Sequence, residues 1–272
     1  MTKNYRPHVF ALCALFTLGD LVLYTQNIIY FLAASVLAVF FAGQIKSRTK
    51  SKAAFYITSG FVCVSALYGA GTAFVRLLRF LKIVLLPNTA PILVVALLSL
   101  VVIAFLFFGQ KALFKYSLFV AIICGAIVMV CFIMGVKNYD FSQNNNLLHE
   151  RLNIGDCLSA LPLFVLPFYL KNETASAKTI IGGAATGSLM LGACCMQARL
   201  TMGTGKVSFP YLKSVSVISS GSLFTRVDGL VYFLFFVTCV IKIVVCIKTI
   251  ENIIVAKCNN LGKKCNDNRL KK

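Results

Sequence analysis

FPYLKSVSVISSGSLFTRVDGLVYFLFFVTCVIKI, residues 209–243, changes character twice along its length. It begins with the aromatic-proline pair Phe209-Pro210, a favoured way to start a helix, and runs through a small, hydroxyl-rich half-helix. It then reaches Arg226 and Asp228 before entering a long apolar run with a single late lysine, Lys242. Arg226 and Asp228 are two apart and cannot face each other on one helix, so they partner other segments or cap the final helix. Asp228 suits a helix start, where a carboxylate complements the dipole. Lys242 lies about 21 Å further along the axis and is expected toward the inner interface, where its long side chain can snorkel.

The surrounding chain is uniformly apolar. Hydrophobic residues make up 59% of the 272, and the mean hydropathy is +0.85. Apolar runs of about 18 residues or more recur, each long enough to cross a ~30 Å hydrocarbon layer. Such runs are too long and too evenly apolar for barrel strands, so the fold class is all-α integral membrane. About eight spans are expected, near 8–24, 27–44, 55–80, 91–109, 118–136, 155–170, 179–199 and 228–250. They form one polytopic membrane domain over 1–256, followed by a basic, irregular cytoplasmic tail over 257–272. No cleavable signal peptide is expected, since the first apolar segment lacks a small-residue cleavage pattern.

Twenty-seven Lys and Arg against eight Asp and Glu give a net charge of +19. Most of the excess lies in short loops, where the positive-inside rule accounts for it and nucleic acid is not needed as a partner. The loop IKSRTKSKAA carries Lys46, Arg48, Lys50 and Lys52, which places it and both termini in the cytoplasm. With that orientation 17 of the 27 basic residues fall on the inner side. Of the eleven cysteines, Cys13, Cys63, Cys124, Cys131, Cys194, Cys195 and Cys239 sit inside apolar runs and act there as small apolar side chains. With no CxxC and only His8 and His149, no metal site, cofactor or enzyme chemistry is expected.

Several local features stand out along the chain. Gly19-Asp20 interrupts the first span, where a carboxylate needs a headgroup position, a partner or a wet cavity. Tyr68-Gly-Ala-Gly71 marks the third span, and Pro87 and Pro91 end that helix and start the next. The connection 137–156 is the most polar stretch and has the length of a cap or lid. The sixth span is short and holds Pro162 and Pro167, either as a kink or as a break that lines a cavity. Gly183 and Gly187 form a GxxxG pair on a small-residue surface, a helix-packing signal.

Three stretches together resemble the spore germinant-receptor B-subunit family, a branch of the amino acid–polyamine–organocation transporters. Residues 209–243 are similar to that family's aromatic-Pro, "isi-Gly", Phe-x-x-Arg-x-(Asp/Glu) and late Ile-Lys-Ile pattern, carried here by Pro210, Ser219, Phe224, Arg226, Asp228, Ile241, Lys242 and Ile243. VRLLRFLKIVLLPNTAP (75–91) looks like the end of the family's third helix and its proline-bounded link. NYDFSQ (138–143) looks like the aromatic-Asp-Phe-Ser after the fifth. The likeness covers roughly residues 8–250. Family members usually have ten spans, so this chain resembles a shortened version of their inverted-repeat fold, and alternating access, which uses both repeats, is in doubt.

The resemblance implies that helices one and six are discontinuous and that their exposed ends bind a ligand near the midplane. The ligand-binding positions it points to are Gly19, Asp20, Gly155, Asp156 and Pro162, with Tyr68 and Phe224 as cavity walls, and Arg226 and Asp228 as structural or partner contacts. The implied function is that of a membrane subunit of a spore germinant receptor, in the spore's inner membrane. It would sense an amino acid-like nutrient beside companion receptor subunits and membrane lipid. The alternatives are an amino-acid or polyamine permease, or a reduced, non-transporting paralogue that serves as an assembly partner.

Overall fold

The computed structural model describes residues 6–19, 35, 37, 38, 40, 41, 44, 52–140, 160–170, 176–202, 209–219 and 227–269. Among them there is no strand, and eight α-helices carry the fold. These are α1 (Arg6–Leu18), α2 (Lys52–Phe80), α3 (Pro91–Phe107), α4 (Gly109–Gly135), the single turn α5 (Leu166–Tyr169), α6 (Ala177–Met202), α7 (Pro210–Ser219) and α8 (Val227–Arg269). The protein is therefore a helical membrane protein. Four segments are long and apolar enough to cross a bilayer: Tyr56–Leu85, Ala112–Asn138, Lys178–Met202 and Asp228–Lys257. α1 and α3 are apolar but shorter. At 1.5 Å per residue α1 rises only about 20 Å, less than the ~30 Å hydrocarbon layer.

α2 widens into a π-helical turn over Leu81–Leu85, and α3 starts with Pro91 in its first turn, so the proline-bounded link forms as expected. Other helix boundaries depart from the sequence expectation. Only Phe108 separates α3 from α4, which means Lys111 and Lys115 stand inside a helix and not in a loop. α8 does not stop near residue 250. It continues through the basic tail to Arg269, because nothing between those points breaks a helix: the tail has one glycine and no proline. Of the short sixth span, 160–170 form a 3₁₀ segment, Leu161–Val165, followed by α5.

α1 is the buried centre of the bundle. Val9 and residues 11–18 are all buried, enclosed by α4, α6 and α8. The close fit against α6 depends on two glycines. A Cβ at Gly183 would lie 2.5 Å from the Phe10 carbonyl oxygen, and one at Gly187 would lie 2.5 Å from that of Ala14. The GxxxG pair is thus the seat of α1, as small residues allow where lipid gives no hydrophobic drive to helix association. Polar cross-links are few. The Ser117 hydroxyl donates to the His8 carbonyl at 2.9 Å, and the Gln197 amide donates to the Cys131 carbonyl at 3.0 Å.

The other boundary of the core is aromatic. Phe80, at the end of α2, is fully buried and meets Phe209, Tyr232 and Phe235 edge-on, at 5.9, 5.6 and 4.9 Å between ring centroids. Phe209 has a φ of 56°, which a non-glycine residue seldom adopts, and it precedes a proline that favours extended backbone. Its ring contact with Phe80 holds this turn, and its carbonyl accepts from Lys213 NH inside the first turn of α7. The Asp140 NH donates to the Leu200 carbonyl at 2.9 Å, which ties the exit of α4 to α6. The Tyr139 hydroxyl donates back to the Phe132 carbonyl at 2.8 Å. Burial, with smaller contributions from Cys131 and Cys194, pushes the Tyr139 hydroxyl up to about 12, so it stays a donor at physiological pH.

Alanine scanning of glycines should separate seats from open positions. Gly183→Ala and Gly187→Ala should each lower stability by roughly 1–3 kcal/mol through overpacking. Gly60→Ala and Gly71→Ala meet open space in the interior of α2 and should be neutral or stabilising by about 0.5–1 kcal/mol. Thermal unfolding in detergent, read by loss of monodisperse protein, measures both.

Candidate functional site

The break at the end of α1 is where the sequence-derived candidates meet the structure. α1 ends at Leu18, which is 1% exposed, so its last carbonyls lie inside the protein and not at a surface. Gly19 turns the chain, its NH still bonded to the Leu15 carbonyl at 3.0 Å. Directly opposite runs α8. A Cβ on Gly19 would stand 3.1 Å from Lys242 Cβ, Lys242 Cδ and the Thr238 carbonyl oxygen. The Cys239 thiol donates to the Gly19 carbonyl at 3.5 Å. The ammonium of Lys242 lies 5.5 Å from the centre of the Phe16 ring, on its face.

Lys242 does not reach a surface of the protein. It is 1% exposed, among the largest fully buried side chains. It is enclosed opposite Gly19 and Phe16, so its side chain does not run outward as a snorkelling lysine would, and α8 itself extends further than the apolar run suggests. A cation there is costly unless it is compensated, and such positions mark function by default. Among the described residues, the C-terminal end of α1 brings the negative end of its dipole to Lys242, and the Phe16 face offers a cation–π contact.

The neighbouring hydroxyls do not extend this polar spot into a network. Thr17 donates to Cys13, Thr238 to Phe235 and Thr249 to Val245, each to a carbonyl of its own helix. Ser65 does the same with Phe61. This is how helix-borne Ser and Thr satisfy themselves in an apolar setting. Among the described residues, no three His, Cys, Asp or Glu side chains group closely enough to hold a metal.

The candidates separate as follows. Gly19 lies against Lys242. Pro162 is buried one turn further along α8: a Cβ at Gly69 would lie 2.8 Å from Pro162 Cβ and 3.2 Å from the Cys246 sulfur. Lys242 and Cys246 are four apart and share a face, so the α1 break and the sixth-span proline pack on the same stripe of α8. Tyr68 is 38% exposed, on the outward side of α2 beside Leu67 and Val64, and does not join this stripe. Asp228 stands in the first turn of α8, where its carboxylate accepts from the Gly229 NH at 2.8 Å. Asp20, Gly155, Asp156, Phe224 and Arg226 lie outside the described residues. Sequence reasoning missed Cys239, Thr238 and the central place of Lys242; the length of the helical pattern beyond residue 250 was the signal that could have found the last. No protein family, curated protein or solved structure matches the chain.

Replacing the buried charge is the direct test of this site. Lys242→Met keeps the length and apolar stem but removes the ammonium. It should leave the protein folded, with a stability change of no more than about 1–4 kcal/mol in either direction, as for buried ion replacements by apolar residues. Lys242→Ala, which also empties the contact with Gly19 and Phe16, should cost more, roughly 2–5 kcal/mol. Denaturation midpoints of the two variants give the comparison.

Proposed function

We propose that this chain is the membrane subunit of a spore germinant receptor, which senses a small amino acid-like nutrient at the break of α1 and passes the signal to companion subunits. The observation that carries the proposal is the buried Lys242 against Gly19. The late Ile-Lys-Ile of the resemblance and the interrupted first segment, which lie more than two hundred residues apart in sequence, pack against each other inside the bundle.

The chemistry follows from the charge. A buried ammonium beside the carbonyl end of a helix favours a carboxylate in its vicinity. Asp20 follows Gly19 in sequence and supplies one such group within the chain; the carboxylate of an amino acid-like nutrient supplies another. A nutrient that competes for Lys242 changes the contact between α1 and α8, and α8 carries that change out of the membrane domain. Both termini are cytoplasmic in this reading, following the distribution of basic residues. Transport is not required for such a sensor.

A second reading, the reduced paralogue that acts as an assembly partner, is favoured by how closely the break is packed. Even one methyl group at Gly19 would press on the backbone and side chain of α8. In this reading Lys242 is a fixed internal cation that closes the α1 break without a ligand.

The experiments distinguish these. Deletion of the gene in the spore-forming cell that carries it should abolish germination with at least one nutrient, and unchanged germination with every nutrient tried would sink the receptor reading. Lys242→Met, expressed at normal level, should lose the same response if Lys242 meets the nutrient and keep it in the assembly reading. Uptake of labelled amino acids or amines into proteoliposomes would instead identify a permease.

A further inference from the structure

α7 begins with Pro210-Tyr211, which puts a phenol in its first turn. Tyr211 is 3% exposed, and its hydroxyl is flanked by the Cys194 thiol of α6 and the Cys131 thiol of α4. Burial, and then Cys194 and Cys131, hold that hydroxyl well above the ordinary tyrosine value, so it stays protonated and remains a donor. Neither thiol meets it with hydrogen-bonding geometry, and among the described residues the hydroxyl has no partner.

A second buried atom beside Cys131 is also unpartnered. Gln197 lies one turn beyond Cys194 on α6 and is fully buried. Its Nε2 donates to the Cys131 carbonyl at 3.0 Å, which fixes the amide's orientation and leaves Oε1 as an acceptor. Oε1 has no hydrogen-bond partner among the described residues. The two helices run parallel here: a Cβ at Gly125 would lie 3.4 Å from Met190 Cε, and further along Cys131 meets Gln197. A buried donor and a buried acceptor left unmade each forfeit their hydration, whereas one small molecule that both accepts and donates satisfies the pair. The groups that define the place, a phenol, an amide and two thiols, carry no charge, which favours a neutral occupant over an ion. Buried waters take such positions, and they bridge polar groups that stand too far apart to bond directly.

We propose that an ordered water is held between α4, α6 and α7, accepting from the Tyr211 hydroxyl and donating to Gln197 Oε1. Its second proton has the Cys131 and Cys194 sulfurs as weak acceptors. The water joins the hydroxyl-rich half-helix to two spans. The site uses none of the residues around Lys242 and does not rest on the receptor reading.

Pulsed X-ray footprinting of the full-length protein in detergent, equilibrated with heavy-oxygen water, tests this, because hydroxyl radicals made from a bound water oxidise the side chains beside it. Cys131 and Cys194 should take up the heavy oxygen although each is 1% exposed, whereas Cys124, 2% exposed and seven residues earlier on α4, should not. Tyr211→Phe, which removes only the donor, and Gln197→Met, which removes the acceptor, should each lower the labelling of both thiols to the level of Cys124. Thermal unfolding shows whether each variant is folded, and Tyr211→Phe, nearly isosteric, carries the test if Gln197→Met does not fold. Labelling of Cys131 and Cys194 no greater than that of Cys124 overturns the proposal. So does labelling that persists in Tyr211→Phe, or alkylation of either thiol in the folded protein by a maleimide, which would mean an open crevice and not a bound water.

Discussion

Among the described residues, a buried positive charge stands at the centre of the fold. At 1% exposure the Lys242 ammonium is removed from bulk water, and its surroundings offset the desolvation this costs. The end of α1 lies beside it with the negative end of the helix dipole, and Phe16 provides a π face. The 13 residues of α1 thus sit at the centre of the fold with Leu18 buried.

The packing that holds α1 in place is made of small residues and not of polar cross-links. Gly183 and Gly187 bring the α6 backbone onto the carbonyls of Phe10 and Ala14, and Gly19 lets α8 approach from the other side. Close backbone approach maximises dispersion contacts where burial from lipid yields no hydrophobic gain. Buried hydroxyls, which could have formed an interhelical network, mostly bond within their own helices.

Much of this was legible from the residues, and the gaps have physical causes. Pro91 as a helix start and the glycine pair are local signals with their expected structural counterparts, and four of the long apolar runs form helices long enough to cross a bilayer. Helix ends were less visible. The sequence pattern that marks a span measures hydropathy, whereas a helix continues until something breaks it, so α8 runs past its apolar part and α4 starts before its own. The pairing of Gly19 with Lys242, and of Gly69 with Pro162, joins positions far apart in the chain, which no local periodicity reports. Tyr68 illustrates the reverse: a tyrosine beside glycines looks like a cavity wall in one dimension, yet helical phase turns it outward with Val64 and Leu67.

The unbroken length of α8 turns a local event into a mechanical one. From Lys242 to Arg269 the helix continues for 27 residues, roughly 40 Å of rod without proline. Pivoted at the buried lysine, such a rod moves its far end by about 0.7 Å for each degree of tilt, following from that length. A tilt of a few degrees about its contact with α1 would therefore displace the basic end by several ångströms.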